Sequence, residues 1–216
     1  SAISAMLSPD MLLPQMCPSS TLPQIKRVTP HGFSMDERSQ RMVWIDLEMT
    51  GLDIETESII EIATVITDSE LNIIAQGPNL AISVNEQLLA NMDQWNTSHH
   101  NQSGLVDRVR NNSVSLEEAE RQTLQFISKW VDEGVAPLCG NSIWNDRKFM
   151  EKEMKQLVKY LHYRMIDVST IKELSRRWYP QIEGFQKKGC HLALDDILES
   201  IEELKYFRNE LFKVSQ

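Results

Sequence analysis

Met42-Val43-Trp44-Ile45-Asp46-Leu47-Glu48-Met49-Thr50-Gly51-Leu52 is the stretch on which the fold of this chain turns. It begins as an apolar, β-prone run, which predicts a buried strand. Two carboxylates interrupt it at positions 46 and 48, and residues i and i+2 of a strand point to the same face. Asp46 and Glu48 therefore project together. Neither can sit ionised in an apolar interior without a compensating cation or hydrogen bonds. The simplest cation is a divalent metal that takes oxygen ligands, such as Mg²⁺ or Mn²⁺. Taken alone, the same Asp-x-Glu also describes a strand end with solvated acids.

The composition sets bounds. With 216 residues, 41% of them hydrophobic and 25% charged, the chain is long enough for one well-buried domain with or without a tail. No apolar run approaches the roughly 18 residues that span a bilayer, so no membrane partner is expected. A net charge of −9 argues against a protein that coats long nucleic acid, which needs many Lys and Arg contacts to phosphate. It leaves room for a short nucleic acid held in a pocket by metals and a few donors. Cys17, Cys139 and Cys190 show no paired spacing, which suits a reducing compartment and gives no zinc signature.

Residues 1–40 differ from the rest. Five of the eight prolines fall there, and Asp10 is the only acid before Asp36. This composition predicts an extension outside the fold. An acid-poor, serine-containing leader fits a mitochondrial transit segment, although such segments are usually richer in Arg. A linker or alternative-start leader, with Met35 opening a cytoplasmic form, fits as well. The folded domain is expected over residues 41–213.

Beyond the first strand, Gly51-Leu52-Asp53 makes a turn and Ile59–Thr67 a second, β-branched strand. Asp68-Ser69-Glu70 turns into a third strand over Leu71–Ser83, with a bulge or break at Gly77-Pro78. Three strands joined by short turns make an antiparallel meander. Leu88, Leu89 and Met92 mark one helical face, and Ser115-Leu116-Glu117-Glu118 is a capping box opening a helix toward Trp130. Short strands follow at Ala136–Gly140 and Met165–Val168. Helices are expected through Asp146, from about Thr170 to Trp178, and from about His191 to Phe212. The whole predicts an α/β domain whose mixed sheet is flanked by helices.

Two further acidic groups complete a set. Asp146 lies near a helix start, where an acid also suits the macrodipole. His191-Leu192-Ala193-Leu194-Asp195-Asp196 enters the last helix, where first-turn acids are common. The order Asp-x-Glu, distant Asp, then His-x₄-Asp resembles the exonuclease superfamily with four acidic metal ligands and a general-base histidine on an RNase H-like fold. The likeness narrows with Trp44–Leu52, Gly140-Asn141-Ser142, His162-Tyr163-Arg164, Asp167-Val168-Ser169-Thr170, Lys172-Glu173-Leu174 and Ala193–Ile197. In these segments the chain is similar to the oligoribonuclease family, over roughly Arg41 to Lys213.

That resemblance implies a 3′-to-5′ exoribonuclease that degrades short oligoribonucleotides, down to dinucleotides, to 5′-mononucleotides. Asp46, Glu48, Asp146 and Asp196 would hold two Mg²⁺ or Mn²⁺ ions, which activate water and clamp the reacting oxygens. His191 would take the proton from the attacking water. Helical periodicity by itself puts Asp195 rather than Asp196 on the face of His191, and the family pattern selects Asp196. By the same resemblance Leu52 wedges against a base, and Trp95 and His100 border the pocket. Ser142, Tyr163, Arg164 and Ser169 would cap the 5′ phosphate end of a short single-stranded RNA, some of them supplied by the second subunit of a homodimer. Such hydroxyl and guanidinium groups recognise a terminal phosphate, and an aromatic ring stacks on any base. Each of these residues also has an ordinary reading as core, surface pair or helix cap. Trp144 and Leu192 depart from the family pattern, and Trp144 would narrow the pocket entrance. Cys190 beside His191 invites a Cys-His hydrolase, but adjacent residues rarely aim at one reacting atom. The alternatives are a proofreading-type exonuclease on longer DNA or RNA and a non-catalytic RNase H-like RNA-binding module.

Overall fold

The computed structural model of the protein describes residues 35–186 and 192–212. The first strand forms as its apolar run predicts: β1 spans Met42–Met49, behind a helical turn α1 at Met35–Ser39. That turn precedes the domain boundary expected at residue 41. Arg38 ties it down by donating to Lys129 O at 3.1 Å and pairing with Asp132 at 3.0 Å.

β2, at Ile59–Thr67, is buried along its whole length and pairs antiparallel with β1. β3 runs Ile73–Ala81 antiparallel to β2, shorter at both ends than the stretch expected from 71 to 83. At its start the turn claims two more residues: Leu71 takes a positive φ of 66°, and Asp68 Oδ1 accepts from the amides of Glu70 and Asn72. The register shifts opposite Gly77-Pro78, where a bulge was expected. Gly77 is required there, because a Cβ would lie 2.6 Å from the Phe126 ring.

Four helices follow: α2 at Glu86–Asn91, α3 at Gln94–Gln102, α4 at Leu105–Asn111 and α5 at Leu116–Ile127. Ser115 caps α5 by accepting from the Glu118 amide, as the capping box predicts. β4 (Leu138–Gly140), α6 (Trp144–Glu153), α7 (Lys155–Tyr160) and β5 (Met165–Asp167) come next. α8 covers Val168–Trp178 and α9 covers Ala193–Leu211. α8 starts two residues before the expected Thr170 because Asp167 serves as its N-cap, accepting from the Ser169 amide.

The five strands form one sheet in the order β3-β2-β1-β4-β5, with β4 parallel to β1 and β5 parallel to β4. The period of two in β1 sorts its side chains between two cores. Val43, Ile45 and Leu47 join Ile127, Phe149 and Leu157 beneath α5, α6 and α7. Met42 and Trp44 join Val168, Ala193, Ile197 and Ile201 beneath α8 and α9. Asp46 and Glu48 continue the Trp44 face, and so emerge where the start of α9 lies against the sheet.

Candidate active site

The carboxylates converge where β1 leaves the shelter of α9. Asp46, Glu48 and Asp196 each offer an oxygen, and these atoms lie within 4.8 Å of one another. Asp196 stands one residue before Ile197, which anchors the first turns of α9 against Trp44. Helix α9 begins at Ala193, with Leu192 as its extended N-cap. The His191 position lies outside the described residues.

Asp146 is the third residue of α6 and is 7% exposed. Its Oδ1 accepts from the Leu47 amide at 3.0 Å, on the strand backbone between Asp46 and Glu48. It thus flanks the group of three acids without being a member of it.

Burial and crowding disfavour negative charge here. Burial, then the charges of Asp146 and Glu48, hold Asp46 well above the usual carboxylate range. Glu48 is pushed to about 8, chiefly by burial and then by Asp196 and Glu61. Asp146 rises to about 7 through burial, opposed by the Leu47 N–H. Several oxygens held close in a poorly hydrated place, each resisting ionisation, fit a hard divalent cation that would neutralise them.

Behind Glu48 lies a polar group that sequence reasoning missed. Glu61 is its cross-strand partner on β2 and is fully buried. Its Oε1 takes Arg108 Nη1 at 2.6 Å, while Oε2 has no hydrogen-bond partner. The signal was present: an acid inside Ile59–Thr67 raises the same objection as Asp46 does in β1. His100 is 1% exposed, and its Nε2 donates to Met49 O at 3.0 Å. Burial lowers its pKa, and its Nδ1 lies 4.0 Å from Glu48 Oε2.

The remaining expected residues fall into four places. Leu52 is 74% exposed on the loop between β1 and β2, which Thr50 closes by accepting from the Ser58 amide. Trp95 is exposed on α3 and stacks on His99, with ring centroids 4.5 Å apart. Ser142 and Ser169 meet at the C-terminal edge of β4 and β5, with hydroxyl oxygens 3.0 Å apart. Tyr163 and Arg164 lie just before β5. The Tyr163 ring is 71% exposed, stacks on His162 and lies under the Arg164 guanidinium. Trp144, half exposed, carries Lys148 Nζ 4.2 Å above its ring.

A mixed sheet with acids clustered at the end of its central strand and at the start of its last helix has the architecture of an RNase H-like exonuclease. The sequence profile of the exonuclease family matches residues 43–204. The chain is 58% identical over 181 residues to an oligoribonuclease of Vibrio parahaemolyticus, covering 83% of this chain and all of that one. It is 56% identical over 179 residues to a probable oligoribonuclease of Dictyostelium discoideum, covering 83% and 94%. Among solved structures it resembles Exonuclease I from Methylocaldum szegediense with a TM-score of 0.64 at 14% identity, over 80% of this chain. It spans about two fifths (41%) of that larger protein, and the likeness speaks to the fold. The chain belongs to the oligoribonuclease family of exonucleases.

Proposed function

We propose that this protein hydrolyses short single-stranded RNA from the 3′ end, down to dinucleotides, and releases 5′-mononucleotides. The observation that carries the reading is the convergence of Asp46, Glu48 and Asp196 within an exonuclease fold. These residues, with Asp146 beside them, would hold two divalent ions, Mg²⁺ or Mn²⁺. Such ions supply Lewis-acid activation of water and neutralise charge at the phosphate.

The chain's own groups do the rest. His191 is proposed as the base that takes the proton of the attacking water, on the family pattern. Leu52 and Trp95 offer exposed apolar surface for bases, which suits sequence-independent stacking. Ser142 and Ser169 would receive the 5′ phosphate. Tyr163 and Arg164, both exposed, are proposed to complete the cap across a homodimer. A closed cap explains how an acidic protein takes RNA: it needs a few well-placed donors rather than a basic surface. Residues 1–40 precede the family match, which supports reading them as a leader, and we propose a mitochondrial one. Imaging the full chain beside one begun at Met35 tests that address.

Turnover measured against 5′-phosphorylated RNA from two to seven nucleotides, and against a 20-mer, tests the substrate. Preference for the dinucleotide is expected, and preference for the 20-mer would overturn the short-substrate reading. Asp46→Ala is expected to abolish turnover, whereas near wild-type metal-dependent activity would refute the site.

A further inference from the structure

Behind the two serines lies a chain of polar contacts that none of the chemistry above uses. Glu203 sits in the middle of α9 and is fully buried, an expensive place for a carboxylate. Among its partners, Lys172 Nζ on α8 forms an ion pair 2.9 Å from Oε1, and Asn141 Nδ2 donates to Oε2 at 2.9 Å. A carboxylate paired in this way only accepts, so the amide group of Asn141 must turn its NH₂ toward Glu203. Ser200 supports the same orientation, although its hydroxyl can rotate. Its hydroxyl donates to Asp196 O at 2.7 Å, which leaves it only able to accept from Asn141 Nδ2, at 2.8 Å.

With both Nδ2 hydrogens committed, Asn141 presents Oδ1 to the cap. There it accepts from the Ser169 hydroxyl at 3.2 Å. The Ser169 oxygen is then free to accept from the Ser142 amide at 2.8 Å. Asp167 Oδ1 shares that amide at 2.9 Å. These bonds hold Ser142 at a φ of 51°, a left-handed conformation that is unfavourable for a non-glycine residue and needs such support. The Ser142 hydroxyl is left exposed, able to turn its hydrogen toward an incoming acceptor.

We propose that Glu203 is a positioning residue for the 5′ end of the substrate: through the fixed polarity of Asn141 it sets the hydrogen-bond direction of Ser169 and Ser142, and so the discrimination for a 5′ phosphate. This rests on the reading of the two serines as the phosphate cap. The relay depends on the number of acceptors. Glu203 presents one oxygen to Lys172 and the other to Asn141, and glutamine has a single oxygen to divide between them. In Glu203→Gln, Lys172 takes the single carbonyl, the glutamine NH₂ faces Asn141, and the Asn141 amide is forced to turn over.

The test compares a 5′-phosphorylated RNA dinucleotide with the same dinucleotide bearing a 5′ hydroxyl. In Glu203→Gln, KM for the phosphorylated substrate rises about five- to tenfold with kcat within twofold, and the 5′-hydroxyl substrate is unaffected. Adding Lys172→Met frees the glutamine carbonyl for Asn141 and restores the preference. The Lys172→Met/Glu203→Met chain has no acceptor and loses the preference again, and neither double variant buries a charge should the single one fail to fold. The Ser142 amide resonance, followed by ¹⁵N NMR, moves in Glu203→Gln and returns in the Lys172→Met/Glu203→Gln chain. Equal effects on both substrates, a fall in kcat, or no rescue would overturn the relay. A wild-type enzyme with no 5′-phosphate preference would instead sink the cap reading, and the amide resonances would still decide the relay.

Discussion

Removing divalent ions should make the stability of this protein fall as pH rises, and Glu48→Gln should reverse much of that loss. Glu48 has a side chain only 17% exposed, and its folded-state pKa is about 8 against 4.5 unfolded. A carboxyl whose pKa is raised by folding leaves stability intact below pH 4.5. Stability is then lost as pH climbs through the folded value, because the unfolded chain ionises first. One pKa unit corresponds to about 1.4 kcal/mol, so at pH 8 the loss from Glu48 is on the order of 4 kcal/mol. That is a large share of the 5–15 kcal/mol typical of a domain. Asp146, raised to about 7, pulls in the same direction over pH 4 to 7. The assay is urea unfolding in EDTA from pH 5 to 9. The wild type should weaken steadily to pH 8 and then level off. Glu48→Gln should be flatter and, at pH 8, more stable than wild type. Added Mn²⁺ should reverse that order, because only the wild type regains a full ligand set. A wild-type curve flat between pH 5 and 8 in EDTA, or a Glu48→Gln protein no more stable at pH 8, would refute the argument that the site stores electrostatic strain.

Arg108→Met strips the buried Glu61 carboxylate of its cation, and a loss of about 3 to 5 kcal/mol is expected by denaturant unfolding, with partial recovery when Glu61→Gln is added. Gly77→Ala drives a methyl group into the Phe126 ring and should cost about 1 to 3 kcal/mol, read as a lower Tm. Leu52→Ala and Trp95→Ala change exposed side chains and should leave Tm nearly unmoved. If the bases stack there, the Trp95 change should raise KM for short RNA at least fivefold, since one stacked base contributes about 1–3 kcal/mol.

Local pattern was enough for the elements whose side chains sort themselves. The apolar alternation of β1, the β-branched run of β2 and the capping box of α5 needed no partner to be read, because period and cap chemistry are written within a few residues. The same alternation placed Asp46 and Glu48 on one face before any fold was known. Helix starts were less legible: α8 begins at Val168 because the Asp167 side chain caps it. Helices α3, α4 and α7 are too short or too polar to show a clear period.

What the sequence by itself determined was the strand face carrying the acids and the set of residue types for metal-ion chemistry. Only the tertiary structure decided how those groups meet. The crossing of α9 over β1 brings Asp196 to Asp46 and Glu48, while Asp146 is held against the strand amide of Leu47. Sheet register sets Glu61 behind Glu48, and the packing of α8 on α9 joins Lys172 to Glu203. Spacing along a chain fixes which way a side chain points on its own element. Its neighbours from distant segments, and with them its charge and hydrogen-bond direction, are fixed only when the elements pack.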